Sequence, residues 1–473
     1  MAQDLSAGAS PATSVPGSRA PATTGTPDPP ASAAHSGLPG REVGDIIAIG
    51  TRPAGASGRI HLAEPPRPGE PTLRWHSRAH SIESIEQEIA RIWAEPNLMV
   101  DVDGAIGRHV AARTSVMNLV VVARQPEVGE RAAETINRLT GRHPSRTLVV
   151  LSADPDGPPW LDARVQAHCV LPRPDAPETC AEMIFLTAGG ETGRHLGALV
   201  APLLIHDLPV TVWWPGEPPL GAGSGAVAEL LESADRLVVD ASAWSGDGLA
   251  RLRELSALYG RFDRLSIRDF ALVRQSRWRE AIASVFDLPD FLPYLSSLRR
   301  ISVTYSTHDE TGAPGSTNVV KPIYHVAWLA SRLGMRVTAP LAALEGPRRP
   351  AARPRTGDRP GMHRGLQATL KDRAHEVAVF VRPFPSTTPP GTTLRIELLA
   401  ERRGSELRAD VTAEAENVLV HAWLDGVQAL DRTFKAPRRS DVDLLSEALE
   451  VGGRDPLAVG AIRTAAELVG PGT

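Results

Sequence analysis

The fold is set by residues 115–151, SVMNLVVVARQPEVGERAAETINRLTGRHPSRTLVVL. The run 115–123 is almost continuously apolar, which is typical of a strand that is buried on both faces. Four apolar residues then recur at helical spacing between 128 and 139, and 147–151 is a second apolar run. A strand, a helix and a strand in such close succession predict a right-handed parallel unit.

The same alternation continues along the chain. Further strands are predicted at 182–187, 210–214 and 236–240, and they alternate with helices at about 192–205 and 226–233. Alternating strands and helices are typical of α/β proteins in which helices cover both faces of one sheet. We therefore predict an N-terminal, doubly wound domain with a mostly parallel sheet.

The second half of the chain follows a different pattern. Helices are predicted at 271–286 and 319–333, with a strand at 301–307 between them. After about residue 373, five strand-like segments follow one another, and Asp425-Gly426 is a strong signal for a two-residue hairpin. Strands joined so tightly are antiparallel. We therefore predict an α+β C-terminal domain with an antiparallel sheet.

Composition suggests further boundaries. Residues 1–45 are rich in Ala, Pro, Ser, Thr and Gly, and they cannot bury enough apolar area to offset the entropy of ordering, so we predict a disordered tail. The Rossmann-like α/β domain is expected over 72–240 and the α+β domain over 248–470. The stretch 340–365 is rich in Arg and Pro, and it is interpreted either as a solvated loop or as a basic patch for an acidic partner.

Charge and apolarity narrow the class of protein. The formal net charge is −4, which does not indicate a nucleic-acid or acidic-membrane partner. The longest apolar stretch, 196–205, is too short to span a bilayer, and we expect no signal peptide because no apolar core follows a basic start. Two cysteines, Cys169 and Cys180, fit a reducing cytosol better than a disulfide scaffold. We therefore expect a cytoplasmic protein.

Familiar catalytic patterns are missing from the sequence. It contains no Gly-Lys pair for a P-loop, no His-Glu-x-x-His for zinc and no Gly-x-Ser-x-Gly for a hydrolase. The two cysteines also lack the spacing of a zinc or redox motif. We therefore expect no catalytic residues, no metal and no cofactor.

One motif supports an alternative function. Gly221, Gly223 and Ala226 match G-x-G-x-x-A between a strand and a helix, and Asp240 ends the next strand. In a dinucleotide site such glycines approach the pyrophosphate, and the acid binds the ribose. However, six residues separate the preceding strand from Gly221, whereas this fingerprint begins directly after its strand. A nucleotide- or sugar-phosphate-binding enzyme or sensor is therefore the alternative function, and a flexible glycine loop is the simpler interpretation.

A second candidate site lies in GRHPSR, residues 141–146. Arg142, His143 and Arg146 surround a proline just before a predicted parallel strand, and guanidinium groups suit carboxylate or phosphate ligands. We name these three residues as a candidate anion site. The alternative is that the segment only ends a helix and that its arginines are solvated.

Two adjacent tryptophans form the third candidate. Trp213 and Trp214 end a predicted strand, so they should point to opposite faces and at least one should lie in the core. The other stands beside a rigid, proline-rich turn. Because Trp is enriched where proteins bind one another, we name Trp213, Trp214, Pro215 and Glu217 as a candidate partner-binding segment.

Several of these stretches resemble a known family. HPSR before a strand, LPVTVWWPGEPP (208–219), SRWREAIASVFDLP (276–289) and AWLASRLG (327–334), in this order, resemble the OpcA family, the glucose-6-phosphate dehydrogenase assembly proteins. The resemblance implies a cytosolic, non-catalytic allosteric activator that binds glucose-6-phosphate dehydrogenase and promotes its active oligomer, at the entry to the oxidative pentose phosphate pathway. Cyanobacterial members are associated with redox control through cysteines towards the C-terminus. No cysteine follows Cys180 here, so that property is not carried over.

Overall fold

The computed structural model describes residues 58–60, 67–94, 111–154, 156–173, 176, 178–220, 225–307, 317–344, 365–373 and 375–471. The predicted disordered tail, most of the Arg/Pro-rich stretch, and Gly221 and Gly223 lie outside these residues. The described strands form two sheets.

The first sheet holds the strands of the first part of the chain. They are β1 (Gly58–Arg59), β2 (Pro71–Ala79), β3 (Ala111–Arg113), β4 (Met117–Ala123), β5 (Ser145–Ser152), β6 (Trp160–Val170), β7 (Glu178–Gly189), β8 (Val210–Trp214), β9 (Arg236–Val239) and β10 (Ser266–Asp269).

The second sheet holds the remaining described strands. They are β11 (Leu298–Thr307), β12 (Arg336–Ala343), β13 (Leu366–Lys371), β14 (Glu376–Pro385), β15 (Thr393–Arg402), β16 (Ser405–Glu414), β17 (Asn417–Leu424) and β18 (Val427–Lys435).

The α-helices pack on these sheets. They are α1 (Ile82–Ala94), α2 (Pro126–Leu139), α3 (Gly190–Arg194), α4 (Leu196–Val200), α5 (Gly225–Glu232), α6 (Leu249–Arg261), α7 (Phe270–Val273), α8 (Ser276–Val285), α9 (Val320–Leu333), α10 (Asp441–Glu450) and α11 (Pro456–Val469).

The first sheet has the predicted doubly wound character. Its strand order is β1-β2-β6-β7-β5-β4-β8-β9-β10, and the strands from β7 to β10 in this order are parallel. All seven residues of β4 are buried, as its apolar run predicts. One face of β4 packs in a cluster with α2 and α10, and the other packs in a cluster with α1, α4 and α5. The predicted fold class is therefore confirmed for this half.

The second sheet is mainly antiparallel, as predicted. Its order is β12-β13-β14-β11-β15-β16-β17-β18, with β11 and β14 as a parallel pair inside it. The hairpin predicted at Asp425-Gly426 is present, and both residues have positive φ, 49° and 82°. Two consecutive positive φ values are what a type I′ turn requires.

Two predicted helices are interrupted. The helix expected at 271–286 divides into α7 and α8 at Arg274–Gln275. The Gln275 side chain there donates to the Lys321 carbonyl at 2.7 Å, so a tertiary contact holds the junction. The helix expected at about 192–205 divides into α3, α4 and a 3₁₀ turn at Ala201–Leu203. A Cβ at Gly197 would lie 2.8 Å from Glu229, so α4 needs glycine to approach α5 closely.

The expectation of two unpaired cysteines is wrong. Cys169 and Cys180 form a disulfide, and they are directly opposite one another on the antiparallel strands β6 and β7. Their Cα atoms are 4.0 Å apart. The separation of eleven residues is therefore the length of a hairpin, which brings the two sulfurs together.

The two sheets contribute to a shared apolar core. One buried cluster contains residues from the first sheet, from α9 and α11, and from the covered face of the second sheet. The helix α10 returns to pack beside α2 and α7. The domain bounds of 72–240 and 248–470 stay predictions. Among the described helices, none combines the length and apolarity that crossing a bilayer requires.

Candidate functional site

The carboxyl ends of parallel strands are where α/β folds usually hold ligands. In the first sheet the chain runs from β4 to β5 on one side, whereas β8 lies on the other side of β4. The crevice for a ligand is therefore expected beyond the ends of β4 and β8. The turn after β4 and the proline-rich turn that follows Trp214 at the end of β8 both lie there.

The turn between β4 and α2 is unlike a dinucleotide-binding turn. In that fingerprint, glycines at the first and third positions form the turn and let the backbone approach the pyrophosphate, and a later glycine lets the helix pack on a strand. Aligned on Gly129, the first two positions are Arg124 and Pro126. Gly129 keeps the packing role, because a Cβ there would lie 3.0 Å from Cγ1 of Val149. The turn thus keeps the glycine that allows the helix to pack. The two positions at which the fingerprint has glycine beside the pyrophosphate carry the long side chain of Arg124 and the ring of Pro126.

The acid of the alternative nucleotide motif is already engaged. Asp240 directly follows β9, and its carboxylate accepts from Arg274 at 2.7 Å and from the Ser242 hydroxyl at 2.6 Å. Because Gly221 and Gly223 lie outside the described residues, their motif stays a prediction. The Asp240 carboxylate is therefore bound by Ser242 and Arg274, where the nucleotide motif needs it to accept from a ribose hydroxyl.

Both tryptophans of the partner-binding segment lie in the core. Trp213 and Trp214 are each 3% exposed. They belong to the clusters on opposite faces of the sheet, as their alternation predicts. The Trp213 ring lies 6.1 Å from that of Phe270, centroid to centroid. Neither indole offers a face to solvent, so a partner that reaches this segment meets the turn that follows it.

That turn is held in place by polar contacts. Glu217 accepts from the Ser245 hydroxyl at 2.7 Å and pairs with Arg251 at 2.8 Å. Arg251 also donates to the Pro218 carbonyl. Although burial favours the neutral acid, the hydrogen bonds from Ser245 and the Arg251 charge hold the pKa of Glu217 below its usual value. Pro215 and Glu217 are half-buried, so the turn presents a fixed shape at the sheet edge.

The three residues of the candidate anion site do not converge. Arg142 pairs with Glu450, and His143 Nε2 lies 3.1 Å from the Ser446 hydroxyl, both on α10. Burial and the neighbouring Arg142 lower the pKa of His143, which favours the neutral ring.

Arg146 lies elsewhere in this region of the fold. Its guanidinium is buried, pairs with Glu182 at 2.5 Å and donates to the Leu203 carbonyl at 3.0 Å. Each member of the predicted set therefore has its own structural partner, and no shared cationic pocket is formed by these three side chains.

Sequence reasoning missed a buried polar cluster at the ends of β9 and β10. Asp269 accepts from the Tyr324 hydroxyl at 2.7 Å and from the backbone amides of Ala241 and Ala271. Burial, and then the charge of Asp240, raise the pKa of Asp269 to about 7. The sequence offered little signal for this cluster, because the strand that Asp269 ends, β10, has the mostly polar sequence Ser-Ile-Arg-Asp although all four residues are buried. The contacts of Asp269 join the turn after β9 to α7 and α9, which indicates a structural role.

Lys321 lies near this cluster. Burial, and then the charge of Arg274, lower the pKa of its ammonium group.

The described residues contain one group with the spacing of metal ligands: Cys169, Glu178 and Cys180, whose ligand atoms lie within 4.8 Å of one another. The sulfurs are joined in the disulfide, and Glu178 pairs with buried Arg74. A disulfide offers no thiolate, and thiolates are the sulfur ligands that zinc requires. The group does not fit a metal site in this state.

Family models match two consecutive stretches of the chain. The model described as the glucose-6-phosphate dehydrogenase subunit N-terminal domain matches residues 136–257, and the corresponding C-terminal domain model matches residues 265–458. Together these stretches include well over half of the chain. No individually curated protein matches it.

Solved structures with a similar arrangement share little sequence with this chain. Gal80p, a transcriptional regulator from Kluyveromyces lactis, is 9% identical over 71% of this chain and 79% of its own, with a TM-score of 0.37. An oxidoreductase domain protein from Kribbella flavida is 11% identical over 75% and 91%, with a TM-score of 0.36. Levoglucosan dehydrogenase is 12% identical over 74% and 97%, with a TM-score of 0.37. At these scores the likenesses carry no argument about function.

Proposed function

Because the chain belongs to the OpcA family of glucose-6-phosphate dehydrogenase assembly proteins, we propose that it is a non-catalytic partner of that dehydrogenase. It binds the enzyme in the cytoplasm and promotes the active oligomer. The dehydrogenase binds NADP and glucose 6-phosphate, and this chain contributes contact free energy alone.

The observation that carries the proposal is the pair of family matches, which include residues from both sheets. The turn after β4 supports it from a different direction. Arg124 and Pro126 occupy the positions at which a dinucleotide fold uses glycine to admit the pyrophosphate. The acidic Glu127 also lies in the first turn of α2, where it opposes binding of an anion.

Activation follows from differential affinity. A protein that binds the active oligomer more tightly than the inactive forms shifts the equilibrium by the ratio of the two affinities. A tenfold preference corresponds to about 1.4 kcal/mol. No bond chemistry by this chain is needed.

The test is co-purification with the dehydrogenase of the same organism, followed by a dehydrogenase assay with and without this chain. We expect co-elution, a rise in dehydrogenase activity and a shift of the enzyme towards its larger oligomer. A dehydrogenase that is fully assembled and fully active alone contradicts the proposal. Calorimetry of the isolated chain with NADP and glucose 6-phosphate is expected to show no binding, and micromolar binding would favour the nucleotide or sugar-phosphate alternative.

We propose that the turn after β8 touches the dehydrogenase. Glu217→Gln weakens its ties to Ser245 and Arg251 while leaving both tryptophans in the core. We expect the dissociation constant for the dehydrogenase to rise at least about threefold. The reason is that the turn loses a charged hydrogen bond that holds it in its binding conformation. Glu280→Gln, at an exposed glutamate on α8, is the matched control. Equal affinities of the two variants would remove the turn from the contact surface and leave the family assignment intact.

A further inference from the structure

The two faces of the second sheet differ in what they carry. One face is apolar and packs on α8 and α9. The other face, which we call the open face, carries alternating polar side chains. Its arginines are substantially accessible: the side chains of Arg300 and Arg395 are 38% exposed, and that of Arg408 is 44% exposed.

Strand register arranges the open face in rows across the sheet. The acidic row runs through Asp431, His421, Asp410, Glu397 and Ser302, one residue from each of five neighbouring strands. The basic row lies two residues away on four of these strands and, because of a register shift, three residues away on β18. It runs through Gln428, Trp423, Arg408, Leu399 and Arg300. The rows are about 7 Å apart.

Opposite charges are paired within this face. Glu397 pairs with Arg300 at 2.8 Å, and Asp410 pairs with Arg408 at 3.1 Å and with Arg395 at 2.5 Å. These contacts fix the side chains in position while leaving the arginines partly accessible.

The open face also has the residue types and the size of an interface. The Arg408 guanidinium lies 5.3 Å from the centre of the Trp423 ring, and Leu399 stands beside it in the basic row. Arginine and tryptophan are enriched where binding energy concentrates. Eight strands spaced about 4.8 Å apart, with about eight residues each, span roughly 900 Å². A stable interface needs about 800 Å² from each partner.

We propose that the open face binds the open face of a second copy of this chain, forming a two-fold symmetric dimer. A two-fold axis that runs between the acidic and basic rows, in the plane of the interface, places each row over the other row of the partner. Arg408 of each copy then lies over Asp410 of the other copy, and Arg300 lies over Ser302. Leu399 lies over Glu397 of the other copy, whose carboxylate is paired with Arg300 of its own chain. A surface that complements itself in this way is what an isologous dimer requires, and stacked sheets pack in this manner about 10 Å apart.

This proposal does not depend on the proposed function, because it concerns the isolated chain. Sedimentation velocity of the full chain is expected to give twice the 50.5 kDa chain mass at about 10 μM. Dissociation should increase as salt rises from about 0.05 to 0.5 M, since the facing charges are then screened. A chain that is monomeric at about 100 μM overturns the proposal.

Substitutions at Leu399 test the arrangement by sign. Leu399→Glu introduces an acid opposite Glu397 of the other copy, and we expect the dimer dissociation constant to rise at least about tenfold. Leu399→Lys introduces a cation at the same point and should leave the dimer intact. Val116→Glu, at an exposed apolar residue of the first sheet region, controls for added charge, and melting temperatures confirm that each variant is folded.

The other results of the Leu399 variants also distinguish the dimer from its alternatives. If Leu399→Glu and Leu399→Lys weaken the dimer equally, the row-over-row arrangement is wrong. If the wild-type chain is monomeric and Leu399→Glu instead loses binding to the dehydrogenase, the open face serves that enzyme and self-association is overturned. Activation that persists while the dimer fails separates this inference from the proposed function.

Discussion

The two sheets treat charged side chains in opposite ways. In the first sheet, Arg146 and Glu182 are enclosed and paired beneath the helices. In the second sheet, Arg395 and Asp410 form a similar pair on a face that remains half-exposed. Each pair consists of one arginine and one acidic residue, so the two pairs do not differ in residue type. The comparison shows that the layer which covers a strand, rather than the residue type, decides whether a charge is available for binding.

The same contrast holds for tryptophan. Trp213 and Trp214 end a parallel strand that helices cover on both faces, and both are buried. Trp423 lies on an antiparallel strand with one open face, and it is only partly buried. Surface recognition is therefore better sought on the second sheet, although the most distinctive aromatic motif of the sequence belongs to the first.

The largest expected loss of unfolding free energy comes from a substitution in the core of the first sheet. Trp213→Ala removes a fully enclosed indole that packs near Phe270, and it should reduce the free energy of unfolding by about 3–5 kcal/mol. Trp423→Ala, on the open face, should cost the monomeric chain less than about 1 kcal/mol, measured at a protein concentration too low for dimers. Chemical denaturation of both variants measures the difference, and equal losses would show that the two sheets are equally closed.

The next effect compares the two ion pairs. Arg146→Ala leaves Glu182 buried with one cation fewer, and we expect a loss of about 3 kcal/mol. Arg395→Ala, at a partly exposed pair, should lose about 1 kcal/mol or less. Urea unfolding curves at low and high salt distinguish them. The double variant Arg146→Met with Glu182→Met should recover much of the loss, because no uncompensated charge then remains in the core.

The smallest effect, taken per pH unit, is the pH dependence of the free energy of unfolding. The pKa of Asp269 is raised to about 7 in the folded protein by burial first, so the folded state holds a proton that the unfolded chain releases near pH 4. The stability from this group is fully present below pH 4 and is lost as pH rises towards 7, at about 1.4 kcal/mol per pH unit.

Asp269→Asn removes this titration and should flatten the dependence of unfolding free energy on pH across that window. Thermal melts between pH 4 and pH 8 provide the measurement. Asp431→Asn, at an exposed acid of the open face, is the control and should leave the slope unchanged. A wild-type slope that survives in Asp269→Asn assigns the titration to another group.

Periodicity predicted much of the fold from the sequence. The apolar run of β4, the helical stripe of α2 and the Asp-Gly turn each depend on neighbouring residues, so they are legible locally. The split between α7 and α8 was not legible, because the Gln275 contact to Lys321 that holds it joins residues far apart in the chain. The edge strand β12 was missed because its sequence contains Pro340, and a proline within a run argues against a strand except at the edge of a sheet.

The candidate site was less predictable than the fold. The sequence indicated which residue types lie at the carboxyl ends of the strands, but not which of them already have partners. Arg142 and Arg146 are close in the chain, yet they pair with Glu450 and Glu182 respectively. A sequence motif alone therefore predicts free charges where long-range ion pairs have formed. Only the folded structure shows these pairs.

The disulfide between Cys169 and Cys180 affects the covalent homogeneity of the purified protein. It joins strands that are already paired from Trp160–Gly189 to Val170–Thr179, and a loop this short contributes about 3 kcal/mol at most to stability. Reduction therefore leaves the hairpin folded. Preparations made under different thiol conditions should contain two covalent species of one shape, separable by a mass difference of two hydrogen atoms. Because both cysteines are buried, a thiol reagent distinguishes the two species only after denaturation.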